Sequence, residues 1–398
     1  MSNPAHSLTQ AERSTLPVSA LLALALAGFI TILTEALPAG LLPQISHSLS
    51  VSPAQAGQLV TLYALGSLLA AIPLTIATQS RRRRPLLLTA IAGFIVANTL
   101  TAVSVWYPLT LLARFLAGVS AGLLWALIAG YAARMVQPAL KGRAIALAMV
   151  GTPLALSIGV PLGTFVSEII GWRSCFIAIT AICLLLMLWI VVSVPDFPGQ
   201  PTGRHYSLPG VLKLAGVRPV LAATLIFVLA HNIIYTYITP FLEAARMADS
   251  VSAVLLVFGI ASLLGIWLVG LTIDRWLRAG ALLATLLFAL AMILLHRGDG
   301  STTTVYAAVV LWGLAFGGAP ALFQTALAKS AGDAADVAQS MLVTAWNIAI
   351  AGGGAAGAAI LALSGPALFS PVLVVLLALT WAVIWRARHE GFTARERS

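Results

Sequence analysis

Residues 31–44, TILTEALPAGLLPQ, place an acid, Glu35, inside an apolar run that begins near Leu16. It is the only acid well inside the apolar stretches of the first half. In a membrane a carboxylate at that depth is costly unless it is protonated, paired or open to a water-filled cavity, so by default it marks function. The plain alternative is an acid near the water interface that caps its helix. The run is too long for the apolar part of a secretion signal and lacks a small-residue cleavage site. It therefore reads as a membrane span rather than a removed leader.

The rest of the chain repeats that pattern. Of 398 residues, 60% are hydrophobic and 9% charged, far more apolar than a soluble globule can bury. Runs of about 20 apolar residues, each able to cross a bilayer, recur along the length. Twelve spans are expected, near 17–43, 56–78, 86–104, 108–133, 143–168, 173–195, 219–242, 251–273, 279–296, 303–328, 337–364 and 368–386. The sequence thus predicts an all-α polytopic membrane protein. Its parts are a tail (1–16), a six-helix bundle (17–195), a connector (196–218), a second six-helix bundle (219–386) and a tail (387–398). The connector, with its run VPDFPGQPTG, is expected to be a flexible loop. Six spans plus six is the arrangement of parallel repeats in secondary transporters.

Basic residues give an orientation. Eighteen lie on the side of the termini: Arg13, Arg81 to Arg84, Arg134, Lys141, Arg143, Arg204, Lys213, Arg218, Arg275, Arg278, Lys329, Arg386, Arg388, Arg395 and Arg397. Arg173, Arg246 and Arg297 lie opposite, and Arg114 falls within a span. The positive-inside rule then places both termini in the cytoplasm. It also accounts for the formal charge of +10 by contact with anionic lipid, without nucleic acid.

Several chemistries find no support. No His, Cys, Asp and Glu cluster has metal-ligand spacing, and no Lys follows a phosphate-binding glycine loop, which argues against ATP-driven transport and against an enzyme. Cys175 and Cys183 lie ~12 Å apart along one helix, beyond disulfide reach, and read as packing residues. Gly352, Gly354 and Gly357 fit a dinucleotide pattern, but that pattern needs a preceding strand and a later acid. On a membrane helix they read as close-contact positions, as do Gly118 with Gly122.

Longer motifs carry a resemblance. TEALPAGLLPQIS in span 1, LLARFLAGVSAG in span 4, GTPLALSIGVPLG in span 5 and AHNIIYTYITPFL in span 7 resemble the major facilitator superfamily. Within it they resemble the drug:proton antiporters, and among those the sugar-efflux branch. The resemblance implies the major facilitator fold. It marks Gly151, Gly159, Pro161 and Gly163 as the antiporter motif of span 5, expected to bend or to pack against the opposite half. It marks Gly270, Asp274 and Arg275 after span 8 as a cytoplasmic gate. The matching loop after span 2 departs from the family pattern: its acidic position falls on Thr78 or Gln79, and four arginines follow. Those arginines read first as topology determinants.

The resemblance also implies that spans 1 and 4 line a central cavity. Glu35 and Arg114 lie ~7 and ~9 Å to the outer side of their span centres, so they are expected to neutralise each other until a proton reaches Glu35. His231, in mid-span 7, is a second candidate proton site. His231, Asn232, Tyr235, Trp125, Trp312, Phe316 and Gln324 are candidate substrate contacts, because aromatic walls with a few amides suit sugars or flat amphipathic drugs. The expected function is proton-coupled antiport exporting such small molecules, with the proton as coupling ion, no cofactor, and a monomer in the bilayer. The alternatives are a proton symporter that imports and a membrane receptor or scaffold.

Overall fold

A computed structural model describes residues 15–200, 206–247, 250–297 and 301–393. Arg13, Arg204, Arg395 and Arg397 lie outside that set, as do most of the tail 1–16 and the last five residues. The described residues are helical and include no strand. Among the described residues ten helical segments are long and apolar enough to cross a membrane. Two of them, Val251–His296 and Thr302–Ser364, run to 46 and 63 residues, about two and three times a bilayer's hydrocarbon thickness at 1.5 Å per residue. Trp276, at φ −123° and ψ 28°, breaks the first. A 3-10 turn at Gly332–Ala334 breaks the second. Divided there, the ten segments become the expected twelve.

In order, the first half holds α1 (Val18–Gly40), α2 (Leu42–Leu49), α3 (Pro53–Ala77), α4 (Arg83–Val103) and α5 (Tyr107–Arg134). Next come α6 (Lys141–Met149), α7 (Gly151–Leu154), a π-turn (Ala155–Gly159), α8 (Val160–Ile170) and α9 (Trp172–Ser193). The short α10 (Leu208–Leu212) follows the connector. The second half holds α11 (Val217–Thr236), α12 (Ile238–Ala244), α13 (Val251–Arg297), α14 (Thr302–Gly317), α15 (Ala319–Ala331), α16 (Ala335–Ser364) and α17 (Phe369–Arg386). Local chemistry sets the ends. At the start of α3, Ser52 Oγ accepts from Gln55 N and Gln55 Oε1 accepts from Ser52 N, so two otherwise orphaned donors are satisfied. The chain forms two compact units, dividing between Leu208 and Pro209, with Gln339–Val343 belonging to the first.

Each unit is built on close helix seams. In the first, α5 meets α3 so tightly that a Cβ at Gly118 would collide with the Tyr63 carbonyl oxygen. Gly122 abuts Ser67 and Ala71 in the same way. In the second unit, Gly313 of α14 abuts Phe258 and Gly317 abuts Ser262 of α13. All four residues of that second set lie 195 positions beyond their counterparts Tyr63, Ser67, Gly118 and Gly122. The duplication is therefore visible as a packing device, since small residues let backbones touch where lipid gives no hydrophobic drive.

One expectation, a freely flexible connector, needs correction, and the span-5 motif shows which helix it packs on. The span-5 motif packs within its own half: Gly151 abuts Ala25 and Phe29 of α1, Gly159 abuts Phe29, and Gly163 abuts Leu37. These α1 residues recur every four or eight positions, one face of a helix. The helix does deform here, because Pro161 follows the π-turn in which Val160 N donates to Ala155 O.

The connector is not a free loop where it is described. Asp196 accepts from Arg82 Nε at 2.6 Å and from Arg84 N at 3.0 Å. Arg83 N donates to Phe197 O, and Gln200 N donates to Gln79 O. Gln79 Nε2 donates to Tyr206 O while Gln79 Oε1 accepts from Tyr206 N. Arg82, Arg83 and Arg84 thus bind the connector besides adding charge.

Candidate functional site

In the first unit, one turn of α1 gathers polar groups from three other helices. Tyr63 of α3 donates its hydroxyl to Thr31 O at 3.1 Å. Asn98 of α4 donates Nδ2 to Thr34 Oγ1 at 3.2 Å. Arg114 of α5 donates Nη2 to Thr34 O at 2.7 Å and Nε to Leu59 O at 3.4 Å. Its guanidinium carbon lies 5.0 Å from the Tyr63 ring centroid, within cation–π range. Thr31, Thr34, Asn98 and Arg114 are fully buried. Two of their atoms, Arg114 Nη1 and Asn98 Oδ1, have no hydrogen-bond partner among the described residues. Such atoms are rare in folded proteins and call for an explanation.

Glu35 is half-buried in this turn and makes no hydrogen bond or salt bridge among the described residues. The expected pair makes no salt bridge here: Arg114 holds the carbonyl next to Glu35, not its carboxylate, although the two charges lie close enough to act on each other. The reason is geometric. Arg114 lies across α1 at Thr34, where a backbone carbonyl is within reach, and it still keeps one donor unused.

The second unit is built differently. His231 of α11 is buried, and Trp312 Nε1 of α14 donates to His231 Nδ1 at 3.2 Å. Indole can only donate, so Nδ1 carries a lone pair in this bond, and a proton placed there would displace Trp312. Phe316 stacks on the imidazole with centroids 3.4 Å apart and planes 11° apart. Tyr235 and Phe258 complete the group, with centroids 5.1 and 5.8 Å from the imidazole. Trp312 is fully buried, and Tyr235 and Phe316 half-buried.

Four of the residues expected from the sequence, His231, Tyr235, Trp312 and Phe316, are thus brought into one cluster. Asn232 turns its amide back to Val228 O of its own helix and abuts Gly353 of α16. Gln324 is buried on α15. Trp125 belongs to the first unit, its ring against Gly28 of α1. Gly270, Asp274 and Arg275 occupy the last turns of α13 before Trp276, with Arg275 over the Trp276 ring at 5.5 Å. Sequence reasoning missed Tyr63, Asn98 and Phe258. Asn98 had a readable signal, a lone amide in the run AGFIVANTL, because an unpaired polar side chain in a span needs a partner.

Residues 24–354 match the Major Facilitator Superfamily. The chain belongs to that superfamily. Two curated relatives share 30% identity with it, each named "Probable sugar efflux transporter". One, from Mannheimia succiniciproducens, aligns over 91% of both chains. The other, from Pasteurella multocida, aligns over 84% of this chain and 83% of its own. Solved structures of superfamily members share the fold at lower identity. The proton:xylose symporter XylE superposes with a TM-score of 0.75 at 16% identity, covering 96% of this chain and 98% of its own. The E. coli fucose:proton symporter FucP gives 0.71 at 17%, covering 94% and 100%. The superfamily and the apolar helices make this protein a polytopic membrane transporter of small molecules.

Proposed function

We propose that the chain is a proton-coupled antiporter that exports small sugar-like or amphipathic molecules from the cytoplasm. The observation that carries this reading is Glu35: an acid inside a helical bundle, without an ion pair among the described residues, on the turn that Arg114 grips. A carboxyl so placed is costly to keep charged and ready to exchange a proton. The ring cluster around His231 supports the substrate side, since stacked aromatic faces with a few polar tips suit both sugar rings and flat amphiphiles. In this reading His231 contacts substrate and Glu35 carries the proton. The relatives' printed names favour sugars and export.

A second reading, proton symport, is favoured by the solved neighbours, two of which are proton:sugar symporters. Proteoliposomes with an imposed pH gradient, screened over sugars and amphipathic antibiotics, separate the two. Antiport drives substrate against the proton flow. Substrate moving with the protons would replace antiport by symport.

The basic-residue count supports two cytoplasmic termini, and in this reading the protein is a monomer in a bacterial inner membrane. Cysteines at Ala248 and Gly300, both outside the described residues, then react with an impermeant thiol reagent from the periplasmic side. One at Gly203, also outside them, reacts only once the inner face is opened. The opposite pattern would reverse the orientation.

A further inference from the structure

The grip of Arg114 on α1 has a cause in the sequence four residues on. In an α-helix the carbonyl of residue 34 receives the N–H of residue 38. Residue 38 is proline, inside α1, and proline has no N–H to give. Thr34 O is therefore orphaned by the sequence itself, in a buried setting where no lipid group can replace the lost donor. Arg114 Nη2 lies 2.7 Å from that oxygen. Near Pro161 the chain meets the same gap differently, by widening the preceding turn into a π-turn. At Pro38 the helix stays α-helical, and another helix supplies the donor.

We infer that Arg114 is a positioning residue: it stands in for the N–H that Pro38 lacks, and this anchorage holds its remaining donor, Nη1, over the turn that carries Glu35. The Nη1 of a fully buried guanidinium, without a hydrogen-bond partner among the described residues, is the observation that points beyond a structural prop. A guanidinium needed only as a prop could satisfy its other donors elsewhere. This one retains a donor for a group that is not always there, and the Glu35 carboxylate is on the same turn. The substrate-cycle part of the inference rests on the proposed role of Glu35; the anchor part does not.

Two other elements touch the same turn without competing for Thr34 O. Tyr63 bonds Thr31 O and Asn98 bonds the Thr34 hydroxyl. Tyr63 is also the titratable group that α3 brings to this turn. On the remaining elements packed against α1, α2 carries His47 and α6 carries Lys141 and Arg143. Helix α8 carries the exposed Glu168, and Arg173 at the start of α9 bonds Ser48 and Ser104. The two cysteines of α9, Cys175 and Cys183, are buried thiols.

The test is a double-mutant cycle on the full chain purified in detergent, because coupled residues are non-additive. Arg114→Met removes the donor and keeps an unbranched apolar stem, and should lower the thermal midpoint by at least about 3 °C. Pro38→Ala restores the N–H, and the double variant should recover at least half of that loss. Additive effects would overturn the anchor. If Arg114→Met yields no folded protein, the double variant should be recovered folded by size exclusion; a double variant that also fails to fold overturns the anchor equally. The positioning role is read separately, by titrating intrinsic tryptophan fluorescence with pH, since Trp125 lies against Gly28 of α1. The double variant should regain stability yet keep a pH profile displaced from that of the unmodified chain. A profile that returns together with stability would reduce Arg114 to a prop. Gradient-driven flux by Glu35→Gln checks the parent reading on its own: normal flux would sink the role of Glu35 and leave the coupling between Pro38 and Arg114 untouched.

Discussion

The first unit grips the turn that carries Glu35 with hydrogen-bonding groups from three helices, whereas the second surrounds His231 with rings. Both centres lie on the opening helix of their unit's bundle, α1 and α11. Both units close the neighbouring seam with glycines set 195 positions apart. The scaffold is duplicated and the chemistry is not. In the first unit a guanidinium, an amide and a phenol fix backbone and hydroxyl oxygens of α1, and two buried polar atoms are left without partners among the described residues. In the second, imidazole, indole, phenol and phenyl groups satisfy one another by one hydrogen bond and several stacked faces. Backbone seams leave no room for a side chain in either half, so the geometry is shared there while the side chains beside the seams differ.

The harshest way to break this comparison is to fill a seam. Leucine at Gly118 meets the backbone of Tyr63, and leucine at Gly313 meets that of Phe258; neither backbone can rotate away as a side chain could. Each substitution is expected to cost at least about 4 kcal/mol, at the extreme of single mutations, and to abolish recovery of monodisperse protein on size exclusion. A chain that accepts one of the two would show that the halves do not share the seam as a structural necessity.

Exchanging the two centres comes next. Glu35→Gln keeps shape and hydrogen-bonding capacity but cannot change charge. It should lower gradient-driven export at least tenfold while substrate–substrate exchange persists. His231→Gln should do the reverse: weaken substrate binding severalfold, with the remaining flux still driven by the gradient. Parallel flux and exchange assays on both variants decide it. Coupling lost in His231→Gln and kept in Glu35→Gln would invert the assignment of proton and substrate between the halves. Within the ring cluster a milder change follows: Trp312→Phe keeps an aromatic face and loses the indole donor. About 1 kcal/mol of stability, the worth of one net hydrogen bond, is expected to go, read as a fall in thermal midpoint.

Much of the molecule is legible in the chain because membranes impose strict rules. Span number follows from apolar run length, and Glu35, Arg114 and His231 stand out because ionisable residues are rare at that depth. The chain does not show where a span turns its polar groups. An arginine and a glutamate at equal depth read as a pair, while the carbonyl orphaned by Pro38 is a better placed acceptor, and only packing reveals which is reached first. The span-5 glycines read as a bend or as an interface with the other half, and the chain does not show that the residues at 25, 29 and 37 of α1 are their neighbours. Small residues announce a close neighbour without naming it. The connector misleads for a related reason. Its Pro and Gly content suggests freedom, yet the groups that hold it, Gln79 and Arg82 to Arg84, lie more than a hundred positions earlier.

The smallest effect sharpens the comparison at the two loops. Gln79 and Asp274 are also 195 positions apart, so one half keeps the acid of the family pattern and the other carries an amide. The amide has a task here that an acid cannot perform. It donates to Tyr206 O at 3.1 Å and accepts from Tyr206 N at 2.9 Å, pairing with both backbone groups of one connector residue. A carboxylate only accepts. Gln79→Glu keeps the length of the side chain and the bond from Tyr206 N, but leaves Tyr206 O without its donor; Gln79→Asp also shortens the reach. We expect about 1–2 kcal/mol lost for Glu and slightly more for Asp, from one or two unmade hydrogen bonds. On the full chain that reads as a fall of a few degrees in thermal midpoint, with faster protease cleavage between residues 196 and 206. Arg82→Ala should cost less, at most about 1 kcal/mol, because its bridge to Asp196 is open to solvent on the arginine side. If Gln79→Glu leaves both stability and cleavage unchanged, the amide is an idle replacement for the family's acid and the strap is held by the arginines alone.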